Sequence, residues 1–169
     1  YNEDAYSTII SGAGDDTIST GSYSTIDAGA GNDSISAGNY STINAGGGNN
    51  SVAVEAYSSI TANIGNDSIS AGSYSTIQAG EGNDTIGAGV NSFVDAGDGN
   101  NFINSRGSSY LWITNSTYNE DAYSTIISGA GDDTIKSNYN TTIYAGNGNN
   151  NIEISGNNAL NDKLKVFIE

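Results

Sequence analysis

The chain of 169 residues contains no Cys, no His, no Pro and no Met. Without Cys there are no disulfides or thiolate metal sites, and without His the commonest general base and transition-metal ligand are missing. Positive charge is nearly absent as well: Arg106, Lys136, Lys163 and Lys165 face nineteen Asp and Glu, a formal net charge of -15. That balance argues against nucleic acid and anionic membranes as partners and makes a cation the partner to expect. With neither imidazole nor thiolate on offer, the cation must be hard and oxygen-liking. No apolar run approaches the roughly 18 residues of a membrane span, so membrane insertion is not expected, and no signal peptide is visible. The chain opens on Tyr1 rather than Met, which suggests an excised piece of a longer protein. Sustained 3.6-residue periodicity is also lacking, and 23 Gly recur too often for helix.

What the chain does have is a repeat. Low apolar content with high charge usually signals disorder, but disorder gives no reason to place Ile in register. The Gly before each Asx pair falls at Gly14, Gly31, Gly48, Gly65, Gly82 and Gly99, a step of 17, and again at Gly131 and Gly148. The interval from Gly99 to Gly131 is 32, which reads as two coils, the first of them an irregular one at 109–123 that has lost its turn. YNEDAYSTIISGAGDDTI occurs at Tyr1 and again at Tyr118, so the 17-residue unit is nested in a 117-residue one.

Two apolar columns run through the coils. One is Ile9, Ile26, Ile43, Ile60, Ile77, Val94, Leu111, Ile126 and Ile143; the other is Ile18, Ile35, Val52, Ile69, Ile86, Ile103, a break at Tyr118, then Ile135 and Ile152. Each sits between Thr, Ser, Asp or Asn, the period-2 alternation of a short half-buried strand. The pattern predicts an all-β fold: a parallel β-roll or β-helix solenoid of about nine coils, two short strands per coil, with equivalents about 4.8 Å apart. Residues 1–156 form the repeat domain, and 157–169, which lose the Gly turn, cap it or begin another domain. A Tyr column (Tyr6, Tyr23, Tyr40, Tyr57, Tyr74, Tyr123), broken by Asn91 and with Tyr139 one place early, marks the second turn, where ring stacking along the solenoid edge is expected.

The first turn carries the chemistry. Its candidate metal-ligand column is Asp16, Asp33, Asn50, Asp67, Asp84, Asn101, Asp133 and Asn150. Its glycines are Gly12, Gly14, Gly29, Gly31, Gly46, Gly48, Gly65, Gly80, Gly82, Gly97, Gly99, Gly129, Gly131, Gly146 and Gly148, with Asn63 standing in one Gly place. Carboxylates stacked about 4.8 Å apart repel by about 1 kcal/mol in water and several times that near a protein surface. A cation between turns removes the repulsion, and carboxylates with Gly-turn carbonyls suit the oxygen-rich shell of Ca²⁺. Two sites stand out, Asp16 with Asp33 and Asp67 with Asp84. The preceding residue, almost always Asn, predicts a hydrogen-bonded Asx ladder.

AGAGNDSIS at Ala28 and AGEGNDTIG at Ala79 resemble the GGxGxDxUx nonapeptide of the RTX, or haemolysin-type calcium-binding, repeat family. The resemblance implies a β-roll with Ca²⁺ between successive turns, in proteins exported from bacteria, with Asp16, Asp33, Asp67, Asp84 and Asp133 as side-chain ligands. The second half of each coil departs from the family, being one residue short with Ser in the Asp place, so several ions are expected mainly along one edge.

The function expected is a calcium-dependent structural segment of a large secreted or cell-surface bacterial protein: an adhesin stalk, matrix or filament element. Partners beyond calcium would be other copies of the repeat or a surface carbohydrate. One alternative is a ligand- or ice-binding solenoid presenting its Thr and Ser rows, which Phe93 and Phe102 interrupt. Another is an auxiliary module of a secreted polysaccharide-acting enzyme. Catalysis by the chain itself is not expected, because it has no His and only scattered basic residues.

Overall fold

The computed structural model describes residues 6–105, 124–137, 141–154 and 165–167. Leu111, Tyr118, Tyr123 and Tyr139 lie outside them, as does most of 157–169. The fold is an all-β parallel solenoid with two strands per coil. One nine-stranded sheet runs from Thr8–Ala13 through Thr25–Ala30, Thr42–Asn44, Ser59–Thr61, Thr76–Gln78, Phe93–Asp95, Ser124–Ile127 and Thr141–Tyr144 to Lys165–Phe167. The facing sheet has eight strands, from Thr17–Ser19 to Asn151–Ile154. Among the described residues eight coils thus carry both strands, and the Lys165–Phe167 strand adds a ninth rung by pairing with Thr141–Tyr144.

The register follows directly from the Ile columns. Slipping a strand by one residue would turn every Ile outward and every Thr inward, so Ile26 pairs with Ile43, Ile60 with Ile77 and Ile35 with Val52. Ile26, Ile60, Ile77 and Ile86 are essentially sealed from solvent. Behind them stand two further inward columns of smaller residues. One is Ala28, Ala45, Ala62, Ala79, Ala96 and Ala145; the other is Ala37, Val54, Ala71 and Ala88. Ala escapes a reading tuned to large aliphatic side chains. Where Ser replaces it, the hydroxyl finds a partner inside: Ser128 Oγ donates to the Ala145 carbonyl at 2.8 Å, and Ser105 Oγ meets Ser137 Oγ at 2.9 Å.

One expectation is corrected. Val94 pairs directly with Ile126, and Ile103 with Ile135. The 32-residue interval is therefore one step of the stack among the described residues rather than two, and the irregular coil expected at 109–123 lies outside them. The ladder closes because the apolar and Asx columns on either side of the interval match in the same register.

Candidate metal-binding edge

Each first turn reverses the chain on glycines at left-handed or extended positive φ, for example Gly29 at 95° and Gly31 at 141°. A Cβ on Gly29 would fall on the Gly12 carbonyl oxygen, and one on Gly31 on that of Gly14. The glycines thus let the carbonyl of one coil press against the backbone of the next. Asn63 holds the Gly place with φ 73°, which Asn tolerates better than most residues, and its Nδ2 donates to Asn44 Oδ1 at 3.1 Å.

The Asx pair then splits. The second residue points inward: Asp33, Asp67, Asp84 and Asp133 are at most 2 % exposed, as are Asn50 and Asn101. Its Oδ1 accepts the backbone N–H of the equivalent residue one coil earlier. The series runs from Asp16 N–H to Asp33 Oδ1, through Asn50, Asp67, Asp84, Asn101 and Asp133, to Asn150 Oδ1, at 2.7 to 2.9 Å. The first residue points outward and builds a ladder of opposite sense. Here the N–H of the later coil donates to Oδ1 of the earlier one, from Asn32 N–H on Asp15 to Asn149 N–H on Asp132, at 2.6 to 2.8 Å. The expected Asx ladder is present, built mainly from side-chain oxygen and backbone N–H rather than amide on amide.

Both ladders leave the second δ atom to be accounted for. Asp16, Asp33, Asp67, Asp84 and Asp133 each bury an Oδ2 with no hydrogen-bond partner; Thr20 Oγ1 is the other such side-chain atom among the described residues. An unpaired buried carboxylate oxygen is costly. Burial accordingly pushes the Asp67 pKa from 3.8 up to about 6, against the lowering effect of the Asn50 N–H, and the neighbouring Asp84 charge adds to the rise. Burial raises Asp84 against the Asp67 N–H, and Asp133 against the Asn101 N–H. Among the described residues no three acidic side chains are grouped so that they could hold an ion by themselves. Any ion on this edge would therefore be held by column carboxylates with turn carbonyls as the balance of its oxygens. An all-oxygen donor set of this kind, with unpaired anionic oxygens, fits Ca²⁺ and not a softer metal.

The opposite edge is built on Ser in place of Asx. Ser24, Ser41, Ser58, Ser75 and Ser92 occupy the inward place, and each Oγ from Ser41 onward accepts the N–H of its predecessor at 3.2 to 3.3 Å. The hydroxyl can also donate, as Ser24 does to the Gly21 carbonyl and Ser41 to that of Gly38, both at 2.9 Å. The left-handed place in this turn is held not by Gly but by Tyr23, Tyr40, Tyr57, Tyr74 and then Asn91, with φ 58° to 60°. The rings from Tyr23 to Tyr74 stack face to face with centroids 4.9 to 5.1 Å apart. No signal in the sequence marks that conformation.

In-register parallel strands turning on Gly-Asx pairs define a parallel β-roll with one acidic, carbonyl-lined edge. The RTX calcium-binding nonapeptide repeat matches in four copies over residues 6–22, 24–39 and 74–91. Those stretches are similar to RTX repeats, a calcium-binding nonapeptide family, as the sequence resemblance implies. The matched stretches contain the turns of Asp16, Asp33 and Asp84. Comparison with curated proteins and with solved structures gave no match.

Proposed function

We propose that the chain is a calcium-stabilised structural segment of a secreted or cell-surface bacterial protein, a stiff spacer held on one edge by Ca²⁺. The observation that carries this reading is the line of five buried, partnerless Oδ2 atoms along the Gly turns. Bound Ca²⁺ supplies the positive charge that those oxygens lack, with Asp16, Asp33, Asp67, Asp84 and Asp133 as side-chain ligands. The stack supports a mechanical role. Nine rungs at about 4.8 Å make a rod about 40 Å long, and the 117-residue echo extends the same unit. Sites of about 10⁻⁴ to 10⁻³ M affinity, the range of extracellular calcium modules, would leave the chain loose inside a cell and ordered outside.

Thermal melts followed by far-ultraviolet circular dichroism, in 10 mM CaCl₂ and in chelator, test the reading. A saturating ligand adds about 1.4 to 2.7 kcal/mol per site at these affinities, so the calcium-loaded chain is expected to melt well above the chelated one. Coincident curves would remove calcium from the proposal.

A further inference from the structure

The inner column alternates in chemistry along the solenoid: two Asp, one Asn, two Asp, one Asn, then Asp133 and Asn150. All its described members from Asp33 onward use Oδ1 in the same inter-coil bond. Their second δ atoms therefore occupy equivalent places in successive turns. What those atoms meet divides the column without exception. Every Asp has an Oδ2 with no partner. Every Asn has an Nδ2 that donates to turn carbonyls: Asn50 to Gly48 at 3.0 Å, Asn101 to Gly97 and Gly99 at 3.2 Å and to Ser128 at 3.3 Å, Asn150 to Ala145 at 2.8 Å and Gly146 at 3.3 Å. The amide orientation is settled by its surroundings, since Oδ1 faces an N–H and Nδ2 faces carbonyl oxygens.

We propose that the amides of Asn50, Asn101 and Asn150 do in their turns what a bound cation does in the aspartate turns. Those three coils close without metal, and the edge takes Ca²⁺ only at Asp16, Asp33, Asp67, Asp84 and Asp133. The inference rests on the calcium reading and replaces the expectation that the Asn turns are themselves ligands. An Asn can serve as a ligand only through its oxygen, and here Oδ1 already holds a backbone N–H while the remaining group is a donor. A donor aimed at the carbonyls brings its own positive partial charge to the place a cation would fill and occupies the oxygens a cation would need. The Ser edge follows the same logic, because its hydroxyl accepts from one coil and donates to the turn. Calcium dependence is thereby interrupted at Asn50 and at Asn101. The sites are confined to the Asp16–Asp33 pair, the Asp67–Asp84 pair and Asp133, with metal-independent coils between them.

Two substitutions in opposite directions test this on the full 169-residue chain, with bound Ca²⁺ counted by equilibrium dialysis and folding followed by circular dichroism with and without chelator. Asn50→Asp is expected to raise the number of ions bound per chain and to widen the melting-temperature gap between calcium and chelator. Asp67→Asn is expected to lower the number, narrow the gap, and keep the chain folded in chelator at least as well as wild type. If Asn50→Asp fails to fold even in calcium, Asp67→Asn alone decides. Wild type that binds Ca²⁺ while both variants bind the same number overturns this inference and leaves the calcium reading standing. Wild type that binds none overturns the calcium reading and this inference with it.

Discussion

Tyr57 sits with its ring between those of Tyr40 and Tyr74, both centroids 4.9 Å away and the planes within 8° and 2° of parallel. It does so at φ 60°, in a left-handed conformation that costs a non-Gly residue about 1 to 2 kcal/mol. Two opposing contributions therefore meet at one residue, and two substitutions separate them. Tyr57→Ala keeps the strain and removes both stacked pairs, each worth about 0.5 to 1.5 kcal/mol, so a loss of about 1 to 3 kcal/mol is expected. Tyr57→Gly removes the same pairs but also the strain, and should cost about 1 kcal/mol less than Ala. Urea unfolding at saturating Ca²⁺, with unchanged m-values, reads both differences as shifts in midpoint. If Tyr57→Ala unfolds within about 0.3 kcal/mol of wild type, the stack contributes nothing. If Gly costs more than Ala, the left-handed strain is not what the ring stacking offsets.

Gly82 lies at φ 142°, and a Cβ there would fall on the Gly65 carbonyl oxygen. Gly82→Ala is expected to destabilise by more than about 1 kcal/mol and to weaken Ca²⁺ binding measured by calorimetry, whereas Gly47→Ala, which meets open space at a place held by Ala30 and Ile64 in other coils, should stay within about 0.5 kcal/mol. Burial raises the Asp67 pKa from 3.8 to about 6, so between those values the folded calcium-free chain holds more protons than the unfolded one and its stability falls as pH rises. In chelator the melting temperature should therefore be higher at pH 5 than at pH 7, with a smaller difference in Asp67→Asn; a higher value at pH 7 would contradict the burial argument. Calcium affinity should fall over the same interval on acidification, because proton and ion compete for the same oxygen.

The 17-residue step, the two Ile columns and the Gly-Asx turns were readable directly, because a parallel stack demands that chemically equivalent residues recur at the coil length and that strand residues alternate. Those requirements are local, and Ile26, Ile35, Gly31 and Asp33 state them in every coil. The same periodicity placed the acidic column on one edge and Ser on the other. It could not say what each column touches. Periodicity identifies equivalent residues, but their contacts depend on the direction in which N–H and C=O groups point along the solenoid axis. That direction is set only when one coil lies on the next. It turns Asp33 inward and Asn32 outward, runs their ladders in opposite senses, and leaves Asp84 Oδ2 unpaired while the equivalent atom of Asn101 is a donor already in use. Stacking likewise decided that Gly99 and Gly131 belong to adjacent coils, that Ala columns fill the interior behind Ile, and that Tyr57 is held at positive φ, since each depends on a neighbour 17 or 32 residues away whose distance in space no spacing along the chain can express.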